Sequence, residues 1–141
     1  MANPPKIVFE LNGTYVQLKD GGAATKVEAG NDFWVRLSGR PELAEGRILW
    51  SAAQVRDSEQ WEMHPQGDEV IYLLSGAVDL VVLAGESERT VTLRPNNACV
   101  VPKGVWHRII VQKPANLLSV TPTLGTQQRP VEVKRQPEAK R

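Results

Sequence analysis

The chain has 141 residues, 41% of them hydrophobic and 23% charged, and a formal net charge of +1. That length suits one domain with a full hydrophobic core. The near-neutral charge gives no electrostatic basis for binding nucleic acid or an anionic membrane, and no apolar run approaches the roughly 18 residues of a membrane-spanning helix.

The opening residues, M-A-N-P-P-K-I-V-F-E, lack a basic segment followed by a long apolar stretch, so no signal peptide is expected. The chain then reads as short strands. In order these are K-I-V-F-E, T-Y-V-Q-L, F-W-V-R-L, I-L-W-S-A, V-I-Y-L-L, V-D-L-V-V-L, T-V-T-L, C-V-V, H-R-I-I-V and L-L-S-V-T, each rich in β-branched, aromatic or aliphatic residues. Turn signals separate them: Asn12-Gly13, Gly21-Gly22, Gly30-Asn31, Ser75-Gly76, Gly85-Glu86, Pro95-Asn96-Asn97 and Pro102-Lys103-Gly104. The one helical candidate, Pro41 to Glu45, is a single turn. Many short strands at this spacing predict an all-β barrel or sandwich.

Three stretches of one domain are expected. Residues 1–35 hold N-terminal strands that cover a barrel edge or pair with a second subunit. Residues 36–123 form the barrel, and residues 124–141 form a polar tail, partly disordered, with little to bury. The lone cysteine, Cys99, excludes an internal disulfide and fits a reducing, cytoplasmic setting. It lies in an apolar strand with no basic neighbour, so it reads as buried filler rather than a nucleophile.

Both histidines of the chain fall in polar clusters beside apolar strands. The first cluster is W-E-M-H-P-Q-G-D-E-V-I-Y-L-L-S-G, residues 61–76. In an extended segment Glu62 and His64 share a face, about 6–7 Å apart along the chain, and Trp61 and Met63 take the other. Pro65-Gln66-Gly67 reads as a hairpin turn that returns Glu69 opposite His64. The second cluster is C-V-V-P-K-G-V-W-H-R-I-I-V, in which Pro-Lys-Gly is a tight-turn signal and His107 opens a strand. A barrel with these strands side by side brings His107 to Glu62, His64 and Glu69. Asp68 and Lys103 read as surface residues. Trp50, Trp61, Trp106 and Tyr72 read as core or pocket wall.

These two clusters resemble the paired motifs of the cupins. The first family motif is G-x5-H-x-H-x(3,4)-E-x6-G; here His64, Glu69 and Gly76 keep its spacing, and Glu62 stands where most members carry the first histidine. The second is G-x5-P-x-G-x2-H-x3-N; here Pro102, Gly104 and His107 keep it. Arg56 and Asn96 replace the two opening glycines, and Val111 replaces the final asparagine. The resemblance covers residues 60 to 112.

It implies a double-stranded β-helix, a jelly-roll barrel with one pocket. It also implies one divalent metal ion, with His64, Glu69 and His107 as matched ligands and Glu62 as a substituted one. Two imidazoles with up to two carboxylates suit Fe, Mn, Ni, Zn or Co. Two carboxylates neutralise a 2+ ion and disfavour an anionic substrate unless Arg or Lys lies nearby. Without a metal, Glu62 and Glu69 are close like charges, and one of them must hold a proton or pair with a histidinium. The expected function is action on a small organic molecule by dioxygenase, isomerase or decarboxylase chemistry, with Glu62 or Glu69 moving a proton. The alternative is a non-catalytic ligand-binding or sensing barrel with a vestigial or empty metal site. Similar proteins pair through N-terminal strands, which implies a homodimer.

Overall fold

The computed structural model describes residues 7–132. Its strands are β1 (Thr14–Leu18), β2 (Ala24–Glu28), β3 (Arg47–Gln54), β4 (Gln60–Met63), β5 (Glu69–Ala84), β6 (Ser87–Leu93), β7 (Ala98–Val101), β8 (His107–Pro122) and β9 (Gln127–Pro130). A one-turn helix, α1 (Phe33–Arg36), and 3-10 turns at Leu37–Gly39 and Pro41–Leu43 separate β2 from β3. All pairings are antiparallel, with one path running β2-β1-β3-β8-β4-β9 and β5 joining β6, β7 and β8. The protein is an all-β jelly-roll barrel.

Two long strands close the barrel. β8 pairs with β4 at its start and with β3 over Ala115–Pro122, while β5 runs beside it throughout. Ser75-Gly76, expected as a turn between two strands, is instead a bulge inside β5, with register shifts from Leu73 to Val78. Gly76 has φ +87°, and a Cβ there would collide with the Pro114 carbonyl of β8. Only glycine combines that backbone conformation with that approach.

Alternation places the core. Ile71, Leu73, Val78 and Leu80 of β5 pack with Leu93, Val101, Ala115 and Leu117 from the three strands beside it. Cys99 packs against the edge of this cluster. A second cluster gathers Tyr15, Val27, Phe33, Leu43 and Ile48.

Four local expectations are corrected. Phe33–Arg36, expected as strand, is helical. Arg36 N–H bonds the Asp32 carbonyl, an Asp32–Arg36 ion pair spans the turn, and Phe33 buries in the second cluster. This tertiary packing overrides the strand propensity of Phe, Trp and Val. Of K-I-V-F-E, Lys6 lies outside the described residues, and 7–10 pair with no strand; Ile7 and Val8 are exposed. β4 does not form a hairpin with β5: it pairs with β8 and β9. Finally, within the stretch expected as a polar tail, Gln127–Pro130 forms β9 along β4, all four residues exposed. Its pairing is main-chain hydrogen bonding without apolar alternation, so hydrophobic patterning carries no trace of it. Residues 133–141 lie outside the described residues.

Candidate metal centre

The β4–β8 pairing sets the site. Glu62 and His107 are direct cross-strand partners, so their side chains share the barrel's inner face. His64 follows β4, and its carbonyl receives the Gly104 N–H at 2.9 Å. Asp68 accepts the Lys103 N–H at 2.8 Å, so a residue read as surface ties the two motif loops together. Gly104 has φ +80°, as the Pro-Lys-Gly turn predicts. Asn96, standing for a motif glycine, also has positive φ, at 72°. Glu69 opens β5 from the far side of β8.

These elements bring Glu62, His64, Glu69 and His107 together, with one ligating atom from each lying within 4.8 Å of the others. His64, Glu69 and His107 are buried, and Glu62 is partly exposed. His64 Nε2 is 3.0 Å from Glu62 Oε1 and 3.5 Å from Glu69 Oε2; His107 Nε2 is 2.9 Å from Glu69 Oε1. Ligands in adjacent positions on an ion about 2.1 Å from each donor sit about 3 Å apart, which these separations match.

The hydrogen bonds behind the four side chains decide what faces inward. His107 Nδ1 is 3.2 Å from the Val105 carbonyl, which can only accept, so Nδ1 carries the proton. Thr126 Oγ1 donates to the Pro122 carbonyl at 3.3 Å, so at 2.8 Å it accepts from His64 Nδ1–H. The Trp50 indole N–H, a donor only, bonds Thr121 Oγ1 at 2.8 Å; Thr121 therefore donates its own proton to Glu69 Oε2 at 2.6 Å. Gln128 Nε2 donates to Glu62 Oε2 at 3.2 Å. In the neutral imidazoles, both Nε2 atoms thus present lone pairs toward carboxylate oxygens. His64 Nε2 sits close enough to both glutamates for an ion pair, yet it is buried without a hydrogen bond of good geometry. Four inward acceptors need a cation among them, either a proton or a metal ion. The donor set fits a divalent metal, and each member has an outer partner that orients it.

Without a metal, the proton is that cation. Burial opposes charge on His64, but a proton on Nε2 would meet the Glu62 and Glu69 carboxylates 3.0 and 3.5 Å away, and their acceptor oxygens and negative charges raise its pKa from 6.5 to about 9. Burial likewise opposes charge on Glu69, and hydrogen bonds and charge from His107 and His64 lower it from 4.5 to about 2. Of the two expectations for a metal-free site, pairing with a histidinium is the one that the geometry supports.

The four residues line a cavity of about 940 Å³. Trp34, Leu37 and Pro41 line it from the helical segment, Trp50, Ala52 and Gln54 from β3, and Ile71, Ile109, Leu117 and Ser119 from β5 and β8. Trp50 is therefore pocket wall, while Trp61, on the opposite face of β4 from Glu62, stacks under the Arg108 guanidinium at 5.1 Å. Sequence reading missed Thr121, Thr126 and Gln128. Only Thr121 left a signal: with Ser119, it is a polar residue on the inward face of an otherwise apolar strand.

A family model described as "Cupin domain" matches residues 50–121, just over half of the chain. Among solved structures, a cupin-2 domain containing protein from Shewanella frigidimarina NCIMB 400 is 20% identical with a TM-score of 0.47, over 54% of this chain and 70% of that one. Hydroquinone 1,2-dioxygenase from Sphingomonas sp. TTNP3, bound to 4-hydroxybenzoate, is 16% identical with a TM-score of 0.46, over 56% of this chain and 62% of that one. A protein from Neisseria meningitidis is 23% identical with a TM-score of 0.45, over 54% and 74%. No curated protein matches the chain.

Proposed function

Because this chain belongs to the cupin family, we propose that it binds one divalent metal ion through Glu62, His64, Glu69 and His107 and acts on a small organic molecule in the adjoining cavity. The observation that carries the proposal is the inward set of four acceptors, each oriented from behind, with His64 Nε2 buried and unsatisfied. A divalent ion held there supplies Lewis acidity toward a carbonyl or enolate oxygen, or a site for activating dioxygen.

The chain's own residues divide the remaining work. Glu69 has one oxygen on Thr121 and the other at His107, so its role is to hold its position and charge. Glu62 is more exposed, and its outer contact is one neutral amide at 3.2 Å. It is the carboxylate free to turn from the cluster and take a proton from a substrate carbon or oxygen. Dioxygenase, isomerase and decarboxylase reactions are all served by this arrangement.

The test is metal content of the purified protein beside a His64→Ala, His107→Ala variant, followed by oxygen uptake with catechols, thiols and keto acids. Stoichiometric transition metal in the wild type, lost in the variant, is expected. Metal-free wild-type protein that still binds small carbonyl compounds would favour the non-catalytic barrel instead. Among the described residues no helix is long and apolar enough to cross a membrane. We place the protein in the cytoplasm as a homodimer joined through its N-terminal strands, for which a monomeric mass by light scattering would be contrary evidence.

A further inference from the structure

We propose that the cavity takes a planar, uncharged aromatic molecule, seated against Trp34 and Trp50 and presenting an oxygen to the cluster of Glu62, His64, Glu69 and His107. The direction of the oxygen rests on the metal-binding reading; the aromatic seat does not.

Two observations argue for the seat. Trp34 and Trp50 both line the cavity, with ring centroids 4.8 Å apart and planes at 57°. Behind them lie two buried rings: Phe33 is 5.0 Å from Trp34, and Tyr15 is 5.8 Å from Trp50. The Trp50 indole is pinned through its N–H to Thr121. Rings that are held by their own neighbours, yet still present area to a cavity, suit a partner that stacks or meets them edge-on. Ile71, Ile109 and Leu117 extend the apolar lining, and about 940 Å³ is the scale of a multi-ring ligand, far above a two- or three-carbon acid.

Charge argues for neutrality. Two carboxylates balance a 2+ ion, so a bound anion would need a cation from the protein. Among the described residues, two arginines line the cavity, and each has its guanidinium against a partner. Arg40 pairs with Glu42 at 2.9 Å. Arg108 follows the inward His107 along β8, and its guanidinium lies over the Trp61 ring at 5.1 Å, with its buried Nε making no hydrogen bond. Among the described residues no lysine lines the cavity. Gln54, Ser58, Gln60 and Ser119 offer neutral hydrogen bonds instead.

The experiment is calorimetric titration of the full chain, as purified and after EDTA, with 2-naphthol, with 2-naphthoate and with the saturated 2-decalol. 2-Naphthol is expected to bind both forms, with the anion and the saturated ring each weaker by about tenfold or more. Trp34→Leu should weaken 2-naphthol about tenfold, and Trp34→Phe should restore most of the loss, with metal content unchanged in both. Equal or tighter binding of 2-naphthoate or 2-decalol, absent binding of 2-naphthol, or full affinity in Trp34→Leu would each overturn the proposal. If Trp34→Leu does not fold, the three-ligand comparison on the wild type decides alone. Metal-free purified protein that binds 2-naphthol would refute the metal reading and leave the aromatic seat standing.

Discussion

Thr121→Val is the sharpest probe of how the site is held. The side chain is 2% exposed and nearly isosteric with valine, so the change removes a hydroxyl and little else. It breaks two hydrogen bonds: the donation to Glu69 Oε2 at 2.6 Å, which is charge-assisted, and the acceptance from Trp50 Nε1 at 2.8 Å. A hydrogen bond to a charged group contributes about 1.5–3 kcal/mol and a neutral one about 1, and the partners left behind are shielded from water. The metal-free protein should lose about 2–4 kcal/mol, or roughly 6–16 °C in Tm at this chain length. Loss of an outer partner to a metal ligand typically lowers metal affinity about 10–100-fold. Thermal unfolding in EDTA and competition with a chromophoric chelator for Co(II) measure the two effects. Thr121→Ser keeps the hydroxyl and should recover most of the affinity. A Thr121→Val protein with wild-type Tm and wild-type Co(II) affinity would show that the chain from Trp50 through Thr121 does not position Glu69.

The metal-free protein should have a stability plateau bounded on both sides. His64, raised from 6.5 to about 9, adds stability that is complete below pH 6.5 and lost as pH rises through 9. Glu69, lowered from 4.5 to about 2, adds stability that is complete above pH 4.5 and lost as pH falls through 2. Tm measured against pH in EDTA should therefore be highest between about 4.5 and 6.5; a Tm still rising from pH 7 to 9.5 would contradict the His64 assignment. Metal affinity should climb with pH up to about 9 as His64 gives up its proton, a trend that Co(II) titrations at several pH values read directly. Gly76→Ala meets both a positive φ of +87° and the Pro114 carbonyl, whereas Gly85→Ala, at φ +68°, meets open space. The first should cost about 3 kcal/mol or more and the second about 1 kcal/mol, read as paired Tm values; equal losses would mean that the β5 bulge does not need the close approach.

The strand content was legible because alternation and turn chemistry are local. T-Y-V-Q-L became β1 without adjustment, and Gly76 and Gly104 take the positive φ that turn-like contexts demand. The cluster of four candidate ligands was legible because both histidines kept the spacing of two known motifs. The helix at Phe33 was not, since its composition favours strand and burial against Tyr15 and Ile48 outweighs it. β9 was not, since its four exposed polar residues carry no hydrophobic period.

Residue order alone thus determined the barrel class and the four side chains that could meet. Tertiary structure decided that β4 lies against β8 rather than β5, and which atoms of those side chains face one another. The partners that make this choice are 62, 52 and 66 residues away from His64, Glu69 and Glu62. A hydrogen bond's direction depends on the donor or acceptor that arrives from another strand, and no spacing within one segment encodes that arrival.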